Sequence, residues 1–252
     1  MDDNDPIEPV FETTQLASIT VAENTATNII RTIDFNYDAN DLLEQVIDNT
    51  IGTQISTFDY SNANRLEIIE QSFNATAPRL ITITTGTDVQ DFISLQSTDT
   101  TGEFIEQRLF TDQQNRIDQI TDLNTDLSGV TTQQSDRSFN YSQNFNVTRI
   151  NILNDTGLTI GFSEFTYNFN NNPFKDMNDV IRTFLFDEFN PYSRNLPATR
   201  EDYTVSNSGV TLVKSITYNY TLNADGFPIQ RELQVTENGT ATTYFEVFNY
   251  RP

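Results

Sequence analysis

An all-β fold of antiparallel hairpins is predicted by three features of the chain: apolar residues alternating with polar ones, a ring-rich composition, and a hairpin-sized unit that recurs. Hydrophobic residues are 36% of the 252, yet 12% are aromatic, with 19 Phe and 10 Tyr. Buried surface must then come from rings and β-branched side chains, which suit a pleated sheet. So many rings also let the chain bury enough apolar area to offset its conformational entropy, which excludes general disorder.

The alternation is clearest at Ile33, Phe35 and Tyr37, at Ile81 and Ile83, at Ile216, Tyr218, Tyr220 and Leu222, and at Phe245 and Val247. Each run reads as a half-buried antiparallel strand. Clusters of Asn, Asp, Gly and Ser between the runs supply turn chemistry, through positive φ or side-chain bonds to the backbone. The expected architecture is an elongated twisted sheet or an incomplete barrel spanning residues 11–252 as one domain, with a two-sheet sandwich as the alternative.

Overlaying the turns shows the repeat. An aromatic residue, a polar turn, and apolar residues six and nine positions later recur as Tyr37, Leu43 and Val46, as Tyr60, Leu66 and Ile69, and as Tyr141, Val147 and Ile150. A fourth copy around Asn115 has Ile117 and Ile120 in place but its aromatic, Phe110, one position early. Asp41 to Ile47 could also mimic a helical turn, and the overlay favours a strand there. Such hairpins bury little alone and need neighbours.

The runs from Phe35 to Val46 and from Phe58 to Ile69 resemble the tyrosine-aspartate (YD) repeats of RHS-type proteins. The stretches Phe165 to Lys175 and Asn223 to Pro228 are similar to Bacteroidetes surface lipoproteins carrying degenerate forms of that repeat. Residues 1–10, acidic and holding Pro6 and Pro9, look like the tether that follows the lipidated cysteine of such proteins. The resemblance implies an outer-membrane or cell-surface location, with periplasmic as the alternative, and a lipid anchor upstream of Met1.

One segment departs from period two. After Asn172 and Pro173, a cap followed by a first-turn proline, Met177, Val180, Ile181, Phe184 and Leu185 fall on one helical face. A helix of roughly three turns is expected near residues 173–188, packed on the sheet or plugging its end.

Charge and missing residues narrow the function. A formal net charge of −22, from 14 cations and 36 acids, repels polyphosphates and anionic surfaces, so no nucleic-acid partner is expected. No apolar run approaches the length that crosses a bilayer as a helix. The chain has no Cys and no His, so thiol nucleophiles, the commonest general base and the usual zinc ligands are all missing. No catalytic residue, cofactor or metal is assigned.

Three kinds of site suit the residues present. The alternating oxygens of Asp34, Asn36, Asp38 and Asn40, and of Asp122, Asn124, Asp126 and Ser128, could face a calcium ion, but both lack the glycine and the bidentate Glu of a calcium loop. Glu103, Glu106, Asp187, Glu188, Glu201 and Asp202 could supply paired carboxylates for glycoside hydrolysis. Phe186, Phe189, Tyr192 and Arg194 have the aromatic and arginine mixture of a binding surface, against core packing under the helix as the plain alternative. The function expected is a non-enzymatic module that binds a glycan or protein partner, accessory to an outer-membrane complex. A structural scaffold or shell is the alternative, and a carboxylate-dependent glycoside hydrolase the third reading.

Overall fold

In the computed structural model, residues 15–251 are described apart from 51, 62–64, 75, 88–90, 100, 176 and 186–192. The expected tether at residues 1–10 lies outside them. Sixteen antiparallel strands follow one another as β1 (Leu16–Glu23), β2 (Ile29–Tyr37), β3 (Leu43–Asp48), β4 (Gln54–Tyr60), β5 (Leu66–Phe73), β6 (Arg79–Thr87), β7 (Asp91–Thr98) and β8 (Phe104–Thr111). The second half is β9 (Ile117–Thr125), β10 (Thr131–Tyr141), β11 (Val147–Leu153), β12 (Thr159–Asn171), β13 (Asn195–Ser206), β14 (Gly209–Leu222), β15 (Pro228–Glu237) and β16 (Thr240–Tyr250), with α1 (Asp179–Leu185) between β12 and β13.

Each strand pairs with its chain neighbours, and β1 also pairs with β16, so the sheet closes into a barrel. This corrects the expected open sheet or incomplete barrel, and leaves no pair of separate sheets for a sandwich. Closure removes both free edges, whose unpaired backbone groups would otherwise recruit other chains.

The hairpin expectation holds in detail. Asp38, Asp99, Asp112, Asp126, Ser142, Asn154 and Asn223 each open a turn in which their side-chain oxygen accepts backbone N–H groups two and four residues on. Each also donates its own N–H to the carbonyl four residues on. The residue three positions on adopts positive φ, as at Asp41, Asn115 and Gly129, the bulge that lets a short loop match strand twist. Asp41 to Ile47 is accordingly turn and strand, not helix.

The aromatic positions also obey one rule. Phe35, Phe58, Phe139, Phe165, Tyr218 and Phe248 are buried, and each stands two residues before a tyrosine, which is the last residue of its strand at Tyr37, Tyr60, Tyr141 and Tyr250. Five of those tyrosines, Tyr60, Tyr141, Tyr167, Tyr220 and Tyr250, donate their hydroxyls to the carbonyls of Leu43, Ile117, Val147, Pro197 and Pro228, each the start of the preceding strand or close to it. The fourth repeat copy needs correcting. Thr111, not Phe110, pairs with Ile117 at the bulge, and Phe110 turns outward beside Phe92, their ring centroids 5.4 Å apart.

Register carries one apolar face round the circuit. Ile19 lies opposite Ile33 and Phe248, Phe35 opposite Val46, Phe58 and Ile81 opposite Ile69, Leu109 opposite Ile120, and Phe139 opposite Ile150. Ile19, Ile69, Leu109, Ile120 and Val147 are 0% exposed, so this face lines the inside and fills it at their level. Phe245 and Val247 are the exception to the sequence reading. In β16 it is Glu246 and Phe248 that face inward, because Glu246 meets Arg231 across the β15–β16 ladder.

The helix starts later than expected. Asn172 is buried and spends its amide on the carbonyl of Ser193 at 2.7 Å, while its carbonyl oxygen Oδ1 accepts Phe174 N–H. Asn178 is the helix cap instead, accepting Val180 N–H at 2.9 Å. The expected face is the buried one: Val180 and Ile181 join the barrel core, and Met177, Phe184 and Leu185 pack against it. The helix therefore lies within the lumen against β1 to β4 and plugs the tyrosine end.

Candidate functional site

Facing positions on β1, β2 and β13 to β16 leave the lumen open at the other end, opposite the tyrosines. The cavity there has a volume of about 480 Å³. Its apolar wall is Val21, Ile216, Leu233 and Val235, and Tyr244 supplies a ring. Strand alternation sets polar residues on the same inward face: Thr240 and Thr242, then Lys214, Arg200, Arg31, Glu237 and Glu246.

The charges come in pairs. Arg31 meets Asp48 at 2.7 Å, Arg200 meets Asp202 at 2.7 Å, and Lys214 meets Glu237 at 3.5 Å near the mouth. Deepest is Arg231 with Glu246, whose side chains are 2% and 4% exposed. Glu246 holds the Arg231 guanidinium above its ordinary range against the opposing pull of burial. Burial raises the neighbouring phenol of Tyr218. A polar yet balanced lining can offer both donors and acceptors to a ligand without selecting a net charge.

The rim around this mouth is apolar at its tips. Ile29, Leu80, Leu127, Val130, Leu158 and Val210 are all more than half exposed there. A second cavity of about 450 Å³ lies at the tyrosine end between α1 and Leu16, Tyr37, Leu43 and Tyr60, without converging charges.

Of the described positions predicted from sequence, Asp202 pairs with a residue of the cavity wall, Arg200. Phe186, Phe189 and Tyr192 lie outside the described residues. Arg194 is exposed at the tyrosine end, its N–H donating to Phe145 O at 3.3 Å. The calcium candidates are taken up by structure. Asp38 caps its turn, and the N–H of Leu42 holds its carboxyl below the usual range; Asp126 is held down likewise by the Ser128 hydroxyl. Asp122 accepts from Gln107 at 2.7 Å.

Among the acids, Asp187 and Glu188 are outside the described residues. Glu201 and Asp202, adjacent on one strand, point to opposite faces. Glu201 accepts the Tyr203 hydroxyl on the outside, pushing that phenol up to about 12, while Asp202 faces inward to Ser163 and Arg200. Glu106 is outside as well, held by Ser94 and Arg108, and Glu103 accepts Asn124 at 2.8 Å. None of the four described candidates is among the residues that line the cavity, so they form no hydrolytic pair across it. Sequence reasoning missed the lumenal residues; the available signal was Arg231, a cation at an inward position of an otherwise period-two strand.

The outer wall is mostly polar, with rings such as Phe92 and Phe110 set among polar side chains. Asn36, Asp59, Glu70, Asn140, Asn219 and Gln234 point outward on six different strands. A barrel embedded in lipid shows the reverse, an outward apolar band around a polar interior. No helix among the described residues is long and apolar enough to cross a membrane.

No family model matches the chain, and no curated protein matches it. Solved structures do. A porin-like protein from Bacteroides uniformis superposes with a TM-score of 0.56 at 14% identity, covering 94% of this chain and 97% of that one. A porin-like protein from Bacteroides vulgatus gives a TM-score of 0.44 at 15% identity, over 94% and 99%. The first likeness is one of fold.

Proposed function

We propose that the chain is a non-enzymatic binding module of the bacterial cell envelope, lipid-anchored at the outer membrane or cell surface, whose lumenal cavity takes a glycan or a segment of a protein partner. The observation that carries this is the cavity itself: a volume of about 480 Å³ with mixed apolar and polar walls, open at one end of a barrel whose outer wall suits water. Pockets of this size and mixed lining are where small ligands are enclosed. The fold shared with the porin-like protein of Bacteroides uniformis supports an envelope setting. The acidic, proline-bearing start supports the anchor.

Because the chain has no Cys, single cysteines report the site cleanly. Envelope extract should protect Thr242→Cys, inside the cavity, from a maleimide, and leave Thr243→Cys, on the outer face, reactive. Equal labelling with and without extract at both positions rejects the lumenal site.

A second reading is favoured by the rim, where apolar tips sit beside the acids Glu23, Asp99, Asp126 and Asp155. That surface fits a protein partner with an apolar patch flanked by cations. Cross-linking from Leu127 in cells tests it: one defined adduct, lost on Leu158→Ser, supports docking, and self-adducts alone reject it.

A further inference from the structure

We infer that the ligand of the lumenal cavity is uncharged and rich in hydroxyls, a neutral saccharide in chemical class. The inference rests on the binding role proposed above. In a chain of net charge −22, the cavity walls are a local exception. The charged residues that line the cavity, Arg31, Arg200, Lys214, Glu237 and Glu246, are all ion-paired, with Asp48, Asp202 and Arg231 supplying the partners that are not themselves in the lining. The four cations and four acids leave no net charge.

An ionised ligand entering this lumen would lose its hydration and meet no uncompensated counter-charge. A site built for an anion leaves a cation unmatched, and one built for a cation leaves an acid unmatched. A sugar asks for something different. Each hydroxyl both donates and accepts, and the rings present C–H faces to apolar or aromatic walls. The cavity offers acceptors in Glu237 and Glu246, donors in Lys214 and the guanidinium groups, hydroxyls in Thr240 and Thr242, and a flat wall in Tyr244 beside Leu233 and Val235.

The loosest pair identifies the specificity-determining residues. Lys214 and Glu237 touch at 3.5 Å with side chains 31% and 56% exposed, so both retain bonding capacity at the mouth. The Arg231 and Glu246 pair is buried, with Glu246 reaching the cavity wall.

Calorimetric titration of the full chain tests this with four probes at low and high salt: neutral oligosaccharides, uronic acid oligosaccharides, glucosamine, and the anionic dye anilinonaphthalene sulfonate. Thr242→Trp, which fills the cavity, is the site control, with circular dichroism to verify its fold. Neutral oligosaccharides are expected to bind with affinity changing less than about twofold with salt. Thr242→Trp should abolish that binding, and Lys214→Met should weaken it roughly tenfold, the loss of one hydrogen bond to a charged group. If only a charged probe binds, and Thr242→Trp removes it, the lumenal site stands and its neutral specificity is overturned. If no probe responds to Thr242→Trp, both are overturned.

Discussion

The hydroxyl of Tyr60 donates to the carbonyl oxygen of Leu43 at 2.9 Å, and this bond closes the open end of the β3–β4 hairpin, whose turn lies at the opposite end of the barrel. The side chain adds one rung where the backbone ladder has stopped. Four other tyrosines repeat the arrangement, which explains why the strand-ending aromatic of the repeat is so often tyrosine rather than phenylalanine.

Tyr60→Phe keeps the ring and removes the donor. It is expected to cost about 1 kcal/mol, the net worth of one such bond. Urea unfolding followed by circular dichroism measures it, and an unchanged midpoint would show that the hydroxyl contributes nothing.

Alkaline pH should weaken the barrel. Burial pushes Tyr37 and Tyr60 up to about 12 and raises Tyr220 and Tyr250 further, whereas an unfolded tyrosine ionises near 10. The unfolded chain then releases protons first, so this contribution is complete below pH 10 and is lost as pH rises toward 12. Urea midpoints on either side of pH 10, with tyrosinate absorbance on the same samples, should fall together with ionisation.

Glu246→Gln strands the Arg231 guanidinium in the lumen. The expected loss is about 3–5 kcal/mol, the usual cost of breaking a buried ion pair from one side. Replacing both partners, Arg231→Met with Glu246→Leu, should recover most of it, since neither charge is then left alone. A double variant no better than the single would show that the pair itself is required.

Gly129→Ala isolates backbone conformation from packing. Gly129 has φ near 83°, and an added Cβ would meet nothing within 4 Å. The left-handed conformation should still cost about 1–2 kcal/mol. Thermal unfolding measures the loss, and a neutral result would mean the turn relaxes.

The mostly polar outer wall carries its own expectation. The barrel should refold from urea in buffer without detergent and recover its sheet signal. Recovery only in micelles would assign the outer wall to lipid.

Much of the local structure was legible because its causes are local. Asp38 and Asn223 dictate their turns through oxygens that reach two and four residues along. Met177, Val180, Ile181, Phe184 and Leu185 were legible as one buried face because their spacing alone places them together. The start of the helix was not, because Asn172 is claimed by Ser193, across a bond that no periodicity encodes.

The candidate site was less legible. Alternation in β16 pointed to Phe245 and Val247 as the inward pair, and the true inward residues are Glu246 and Phe248. What reversed the reading is Arg231 on the neighbouring strand, which makes a buried carboxylate tolerable. The fourth repeat misled in the same way, since Phe110 found an outward partner in Phe92.

Residue order alone was enough for an antiparallel hairpin protein with one amphipathic helix, because turns, alternation and helical spacing act over fewer than about a dozen neighbours. Closure was beyond it. Asn249 donates to Ser18 at 2.9 Å across 231 residues, and whether β1 and β16 meet depends on the summed twist and stagger of every strand between them. That meeting makes one face of the sheet a lumen, and the lumen is what gathers Lys214, Glu237, Tyr244 and Arg31 around a single cavity.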